Sequence, residues 1–230
     1  PVFVGFMTAG FSVVHALCGA SPSGRFWLIG LYLAFLLWHE PWFTRRLRPG
    51  EAVARLSGKY AQMEQDEKDR FEAFMDSDDG RPFYMVNLMQ YRDRAQYREG
   101  DQVTENTTGL TGREAGRFYN RAVIPALLWR GCYPVFASRK IANLFSAGTG
   151  TDFFEDVVIV RYRSRRDMLN MISSPRFLKG IPHKWASLEK TVVVPSRLVL
   201  LFDLRVIVAL ALMSVYMLVS VASSFSSQAT

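Results

Sequence analysis

Cysteine and histidine are scarce in this chain, which holds two Cys and three His among its 230 residues. Cys18 and Cys132 lie in regions of different character, which favours two buried thiols over a disulfide, and no metal-ligand spacing is present. The run Gly148-Thr149-Gly150 lacks the lysine and the helix that follow in a phosphate-binding loop. No zinc finger, helix-turn-helix or RNA-binding signature occurs. We therefore expect no metal site, no cofactor and no nucleic-acid partner.

Recognisable catalytic sets are missing as well. The sequence has no serine, histidine and aspartate in a known catalytic order and no HExxH motif. His183 is the single histidine of the central region, and no paired carboxylate accompanies it. Enzymatic activity therefore stays uncertain, and the sequence favours a non-catalytic role.

Charged residues are almost absent from both ends of the chain. The stretch Thr44–Val199 holds 26 of the 28 Lys and Arg and 19 of the 21 Asp and Glu, so it carries the whole formal charge of +7. This segregation predicts four regions: a hairpin of apolar helices over 1–43, an amphipathic helical linker over 44–81, a folded domain over 82–196, and an apolar helix with its tail over 197–230.

Three apolar runs predict about three transmembrane helices. Phe26–Phe43 is nearly all apolar and is followed by Arg45, Arg46 and Arg48, a stop-transfer pattern. Val206–Ala222 carries no charge and spans about 26 Å at ~1.5 Å per residue. Val2–Leu17 is the third run, although glycine and polar residues interrupt it.

The flanking arginines predict an orientation, because positive charge is retained on the cytoplasmic side of a membrane. Those beside both apolar runs face the central domain. We therefore expect a multi-pass protein of the inner (cytoplasmic) membrane, with a soluble domain on the cytoplasmic side. His15 and His39 lie near the ends of apolar runs, where interfacial positions are favoured over haem or pigment ligation.

Hydrophobic patterning of the central region predicts four strands and the helices that connect them. Helices are expected over Arg113–Arg130, from the Ser164 cap to Ile172, and over Pro175–Leu188. An amphipathic helix broken near Gly58 precedes them over Glu51–Met75. The expected strands are Pro82–Tyr91, Tyr133–Phe145, Phe154–Tyr162 and Lys190–Val194.

The resulting order, β-α-β-β-α-β, predicts an α+β fold of the ferredoxin-like type together with about three transmembrane α-helices. Val157 and Ile159 alternate with Val158 and Val160, so both sheet faces are apolar. Helices cover one face, and a second copy of the domain is the simplest cover for the other. Two sheets would then close into a barrel-like dimer.

Residues 60–195 also carry a combination of short motifs that resembles the dimeric α/β-barrel superfamily, and within it small bacterial families of unassigned function. The resemblance implies a ferredoxin-like fold and leaves the function open, because the superfamily includes haem enzymes, cofactor-free monooxygenases, lactone isomerases and sensing domains. Apolar end segments depart from its usual stand-alone members. The matching residues are Met85 to Leu88, Tyr91, Arg92, Asp156, Val158, Tyr162, Ser164, Arg165, Met171, Ser174, Pro175, His183, Lys184, Ala186, Leu188 and Glu189.

Five polar residues are candidates for a small-ligand pocket between the sheet and a helix: Asn87, Tyr119, Ser138, Tyr162 and His183. Among them His183, Asn87 and Tyr162 are the candidate catalytic groups. The structural alternative is a set of hydrogen bonds in a packed core, with His183 fixing a loop.

Arginine clusters suggest a surface for anionic lipid or an acidic partner. The alternative is an ordinary solvated basic surface. The candidate residues are Arg45, Arg46, Arg48, Arg161, Arg163, Arg165 and Arg166.

Together these patterns favour a membrane-anchored accessory subunit of a larger membrane-protein complex, whose α/β-barrel domain docks other subunits or a second copy of itself. The alternative is a membrane-tethered enzyme or binding protein for a lipophilic small molecule, of monooxygenase or isomerase type.

Overall fold

The computed structural model describes residues 22–56, 63–101, 107–144, 150, 153–199 and 204–228. The chain divides into two compact units. One, here called the helical unit, combines Pro1–His39 with Val199–Thr230. The other, the sheet unit, is Glu40–Leu198. The expected helix over Val2–Leu17 lies outside the described residues.

Two helices build the described part of the helical unit: α1 (Pro22–His39) and α7 (Leu204–Gln228). They pack through a small core of Tyr32, Leu36, Ala209 and Tyr216. The Tyr32 hydroxyl donates to the carbonyl oxygen of Arg205 at 3.4 Å. Both helices were expected from their apolar runs, and both form.

The transmembrane part of the expected fold class is nevertheless wrong. Over the described residues, no helix combines the length and the apolar character that crossing a bilayer requires. The expected inner-membrane, multi-pass localisation with a cytoplasmic domain is overturned by the same finding.

The sheet unit contains four strands and five helices among its described residues, in the order α2, α3, β1, α4, β2, β3, α5, α6, β4. Every predicted strand forms, although β2 ends six residues early. The bounds are α2 Glu51–Arg55, α3 Gln65–Asp76, β1 Phe83–Tyr91, α4 Gly112–Leu128, β2 Tyr133–Arg139, β3 Asp156–Tyr162, α5 Arg165–Ile172, α6 Pro175–Ser187 and β4 Leu188–Ser196.

The four strands form one antiparallel sheet in the order β2-β3-β1-β4. Asn87 on β1 pairs with Val158 on β3 and with Val193 on β4. Directly paired residues point to the same side of a sheet. Because the β1–β3 pairing is regular from Phe83 to Met89, each strand residue can be assigned to one face.

Side-chain caps fix where the helices begin. Thr111 accepts from the backbone N–H of Glu114, whose carboxylate accepts from the backbone N–H of Thr111 at 2.8 Å, which is a capping box at the start of α4. Ser164 and Ser174 accept from the third residue of α5 and α6 in the same way. The predicted capping position of Ser164 is therefore confirmed.

One face of the sheet is covered by the helices, and the main core lies between them. Phe83 and Tyr162 stack there with ring centroids 5.2 Å apart. Leu47, Ala52 and Met75 join the same core. The region 44–81, expected as a linker, is therefore an integral part of the sheet unit.

Helices α4 and α6 approach closely because glycine stands at two contact points. A Cβ at Gly180 would lie 2.9 Å from the Ala122 Cβ. A Cβ at Gly112 would lie 2.5 Å from the carbonyl oxygens of Arg92 and Ser187. The close approach fixes the ends of both helices against the segment that follows β1.

Candidate functional site

The predicted pocket residues separate into three locations. Asn87, Tyr119 and Tyr162 lie on the helix side of the sheet, within or beside the core. Ser138 lies on the opposite face. His183 lies between α6 and the segment that follows β1. The structure therefore places three of the five predicted residues on one side of the sheet.

Asn87 is at the centre of β1, and its side chain forms hydrogen bonds with the backbone. Its amide nitrogen donates to the carbonyl oxygens of Met85 at 3.0 Å and Val158 at 3.2 Å. Both bonds hold the amide against the sheet. This contact supports the structural role weighed for Asn87 and leaves only its amide oxygen facing the helix layer.

Tyr119 and Tyr162 present phenol groups to the helix side. Tyr119 packs edge-on against Phe177 with ring centroids 6.3 Å apart, and Tyr162 is only 8% exposed. Burial raises the pKa of both hydroxyls, and the neighbouring Tyr119 raises the pKa of Tyr162 further. Both phenols therefore stay protonated at neutral pH.

Ser138 cannot join this group. It pairs with Val157 on β3, which points away from the helices because its neighbour Val158 points toward them. Its side chain is exposed. Sequence patterning missed this because β2 has a register shift between Pro134 and Phe136, which reverses the faces of the residues that follow.

His183 is buried at 3% exposure and holds a loop. Its Nδ1 lies 2.7 Å from the hydroxyl of Tyr97, and the Phe118 ring centroid is 5.3 Å from the imidazole centroid. The same loop bonds to α6 through the N–H of Gln96 and the carbonyl of Ala186 at 3.0 Å. These contacts match the loop-fixing alternative stated for His183.

Lys184 is a residue of the helix side that sequence reasoning passed over. Its ammonium lies 5.7 Å from the ring centroid of Tyr119 and 5.5 Å from that of Trp185. Burial lowers the pKa of Lys184 to about 8. The sequence alone does not distinguish Lys184 from an ordinary surface lysine. Its contact with Tyr119 across the two helices is visible only in the structure.

Two of the candidate arginines form hydrogen bonds and ion pairs within the sheet unit. Arg161 is 3% exposed, donates to the Gly131 carbonyl at 3.2 Å and lies 3.9 Å from the Glu40 carboxylate. Arg163 forms a two-pronged pair with Asp167 at 2.8 and 2.9 Å. Bidentate pairs of this kind position elements rather than face solvent.

Arg166 ties the segment before α2 to α5. Its guanidinium donates to both oxygens of Glu51 at 2.6 and 2.9 Å and to the carbonyl oxygens of Arg45 and Arg46 at 2.6 and 2.9 Å. The hydrogen bonds from Arg166 lower the pKa of Glu51 to about 2. The side chains of Arg45, Arg46 and Arg48 remain exposed, so a basic surface for a partner is reduced to these three and Arg165.

Arg165 is itself partly engaged. Its guanidinium lies 4.5 Å above the Phe74 ring and 3.4 Å from the Ser77 hydroxyl. The seven candidate arginines thus form no single patch, and whether the exposed ones bind an anion stays a prediction.

The face of the sheet opposite the helices, here called the open face, is apolar. None of its aliphatic or aromatic strand residues belongs to the helix-side core, and its outer strands are well exposed, with Phe136 at 49%, Val192 at 42% and Val194 at 46%. Its aliphatic residues and Phe136 are Val86, Leu88, Phe136, Val157, Ile159, Val192 and Val194, and the polar residues Gln90, Ser138, Arg161 and Lys190 lie around them on the same face.

In the parts of the chain that the structure describes, no three His, Cys, Asp or Glu side chains are grouped so that they could hold a metal ion. Cys132 is fully buried, and its pKa is raised to about 12 by burial. A thiol in this state is not a nucleophile at neutral pH.

Comparison with known proteins finds likeness in structure only. No family model and no curated protein matches the chain. Two crystal structures of the RPA0582 protein of Rhodopseudomonas palustris, a protein of unknown function, are similar to it. The structure of the methylated form has a TM-score of 0.51 and 23% sequence identity, and the match covers 62% of this chain and 96% of that chain. The second structure has a TM-score of 0.50 and 23% sequence identity, and the match covers 61% of this chain and 97% of that chain. At this identity the likeness shows the fold alone, a small antiparallel sheet shared with an uncharacterised protein.

Proposed function

We propose that this protein is a docking subunit whose sheet unit pairs, through its open face, with a second copy of itself. The observation that carries the proposal is the row of apolar residues that face away from the helices on all four strands, of which Phe136, Val192 and Val194 are well exposed. Patches of this kind mark interaction sites, because isolated proteins rarely leave a contiguous apolar face in water.

A second copy is the occupant that the chemistry of the face favours. A two-fold interface uses the same patch on both partners, so the patch must be complementary to itself. The open face meets this condition because its central residues are aliphatic or aromatic, whereas a charged face would repel its copy. The charged Arg161 on this side is buried and bonded within its own unit.

Strand order supports a specific form for the pair. The order β2-β3-β1-β4 with crossover helices on one side is that of the ferredoxin-like fold. Two such sheets placed face to face enclose a common apolar interior, as in the dimeric α/β barrels that the sequence resembles. Each sheet then has helices on its outer side and the partner on its inner side.

A wider assembly role is part of the proposal. In the helical unit, several leucines of α1 and α7 are exposed, including Leu31 at 58% and Leu210 at 59%. They offer an apolar surface to other subunits. The absence of a recognisable catalytic set from the sequence favours docking over catalysis.

The test is the molar mass of the purified full chain by light scattering over a range of concentrations. We expect twice the chain mass of 26.2 kDa for the wild type. Phe136→Glu combined with Val194→Glu is expected to give the monomer, since two charges would be buried in an apolar interface. Ile141→Glu is the matched control, because Ile141 is fully exposed outside the strands.

Circular dichroism must show that the double variant stays folded. A monomeric wild type at high concentration would refute the proposal, and so would a double variant that remains dimeric. A larger particle containing other polypeptides would assign the open face or the leucines to a different subunit.

A further inference from the structure

Three large aromatic side chains of the sheet unit are exposed to solvent, and none of them lies within a strand or a helix. Trp42 is 53% exposed, Phe43 is 86% exposed and Trp129 is 84% exposed. Folded proteins rarely leave large apolar patches in water, and where they do, the patch usually marks an interaction site. If the three side chains lie together, they indicate a surface that contacts something outside the sheet unit.

Trp42 and Phe43 form the tip of a β-turn. The backbone N–H of Thr44 donates to the carbonyl oxygen of Pro41 at 2.9 Å, which closes the turn around the two aromatic residues. Turn centres are usually occupied by glycine, proline, asparagine, aspartate or serine. Neither aromatic residue belongs to the core of the sheet unit, so the turn holds both rings at the surface.

Arg161 brings Trp129 to the same end of the sheet unit as this turn. Its guanidinium donates to the carbonyl oxygen of Gly131 at 3.2 Å and lies 3.9 Å from the carboxylate of Glu40. Gly131 is two residues after Trp129, and Glu40 is two residues before Trp42. The turn and the end of α4 therefore lie beside each other. The surface that they form, here called the aromatic end, consists of Trp42, Phe43 and Trp129.

Exposed positive charge follows the aromatic end directly along the chain. Arg45, Arg46 and Arg48 are all exposed. Arg166 holds this segment by its backbone, since its guanidinium donates to the carbonyl oxygens of Arg45 and Arg46. The segment is thus fixed on the sheet unit while the three arginine side chains remain at its surface.

The carboxylates around these arginines are bound within the sheet unit. Glu40 and Glu51 each pair with an arginine of the same unit. Asp76 and Asp78 accept hydrogen bonds from backbone N–H groups at 3.0 and 2.8 Å. None of these four acidic residues is exposed, so the surface beside the aromatic end presents mainly positive charge to solvent.

We propose that the aromatic end and its three arginines bind a surface of anionic phospholipid. Aromatic rings are favoured at the boundary between headgroups and acyl chains, and guanidinium groups are attracted to the negative charge of the headgroups. A fluid lipid surface accepts protruding rings without the complementary pocket that a protein partner would need. The contact uses a turn and the end of a helix, so no helix has to cross the bilayer. The aromatic end is separate from the open face and does not depend on pairing of two copies.

The experiment is sedimentation of the full chain with vesicles made of equal parts of phosphatidylglycerol and phosphatidylcholine, compared with vesicles of phosphatidylcholine alone. We expect binding to the anionic vesicles to be at least about tenfold stronger, because the arginines add to the affinity only there. High salt should weaken this binding, since it screens the attraction between exposed charges.

A pair of charge variants tests the arginines. Arg45→Gln combined with Arg46→Gln should weaken binding to anionic vesicles by about tenfold or more, and the backbone contacts with Arg166 are kept. Arg94→Gln combined with Arg98→Gln is the matched control, because both residues are exposed and follow the opposite end of β1. The control should bind like the wild type.

A pair of apolar variants tests the rings. Phe43→Ala combined with Trp129→Ala should weaken binding by about tenfold or more, because aromatic surface is no longer buried in the lipid. Both side chains are exposed, so circular dichroism should show an unchanged fold. Ile141→Ala combined with Leu144→Ala is the matched control, since these exposed residues follow β2 at the other end of the sheet.

Fluorescence quenching by lipid with brominated acyl chains reports the contact directly. It should fall when Trp42 and Trp129 are both replaced by phenylalanine, which keeps an aromatic ring at each position. It should not change for Trp185→Phe, because Trp185 lies on α6. Equal affinity for the two kinds of vesicle, or wild-type affinity in either the arginine or the aromatic double variant, would overturn the proposal. Absence of binding to the anionic vesicles would also overturn it and assign the aromatic end to a protein partner.

Discussion

Replacing Lys184 by methionine is expected to stabilise the folded protein. Burial lowers the pKa of Lys184 from its ordinary value of 10.5 to about 8. The unfolded chain keeps the ordinary value, so at neutral pH the folded state bears the cost of holding an ammonium away from water. Methionine has a similar length and carries no charge.

The size of the effect follows from the pKa. One pKa unit corresponds to about 1.4 kcal/mol, so the fall to about 8 corresponds to at most about 3 kcal/mol. Because the side chain is half-buried and water reaches part of it, we expect a gain of about 1–2 kcal/mol for Lys184→Met at pH 7.

The sign of the pH dependence is also fixed. The folded pKa lies below the unfolded one, so the penalty is fully present below about pH 8 and disappears as the pH rises toward 10.5. Tyr119 and Tyr162 face the same interior and stay protonated there, so they do not mask the change.

Urea unfolding of both proteins at pH 7 and at pH 10 measures this difference. The advantage of Lys184→Met should be large at pH 7 and small at pH 10, and Lys179→Met should show no such advantage at either pH. A variant less stable than the wild type at pH 7, or an advantage of equal size at both pH values, would refute the reasoning and mark Lys184 as a packing residue.

Three further outcomes follow from the described contacts. Arg166→Gln should cost about 1–2 kcal/mol at pH 7. This cost should shrink in urea titrations as the pH falls from 4.5 to about 2, because Glu51 takes up its proton at the ordinary pKa of 4.5 in the unfolded chain and only at about 2 in the folded wild type. Gly112→Ala should destabilise the fold by about 2 kcal/mol in thermal unfolding, because its Cβ would meet two backbone oxygens at 2.5 Å. Cys132, with its pKa raised to about 12, should resist alkylation at pH 8 until the protein unfolds, as mass spectrometry of the labelled peptide would show.

Local signals in the sequence were enough to place the strands and helices of the sheet unit. Alternation and short apolar runs indicated all four strands, and the serine cap before α5 and the proline at the start of α6 indicated where those helices begin. These features depend on neighbours within a few residues. They do not depend on packing between distant parts of the chain.

The sheet face on which a residue lies and the ion-pair partner of each arginine were harder to predict, because both depend on contacts between residues far apart in the sequence. Ser138 was assigned to the pocket by strand alternation, but the register shift in β2 turns it to the other side. The arginine-rich run around Arg163 looked like a surface patch, but two of its guanidinium groups form internal ion pairs with Asp167 and Glu51. Composition cannot distinguish an exposed arginine from a paired one.

The apolar ends show a third limit of sequence reasoning. Hydropathy gave helices that do form, and their apolar character was interpreted as membrane crossing. Within the described residues those helices fall short of that requirement, and part of their apolar surface is used on each other through Tyr32 and Tyr216. Helix formation and the environment of a helix are separate questions, and an apolar run answers only the first of them.

Lys184 shows that sequence patterns do not reveal the environment of a single charged side chain. A lysine on a helix is ordinarily a solvated residue. Here the close approach of α4 and α6 at Gly180 places it against Tyr119, and no carboxylate in the described chain accompanies it. A fold selected only for stability would place an apolar residue at this position.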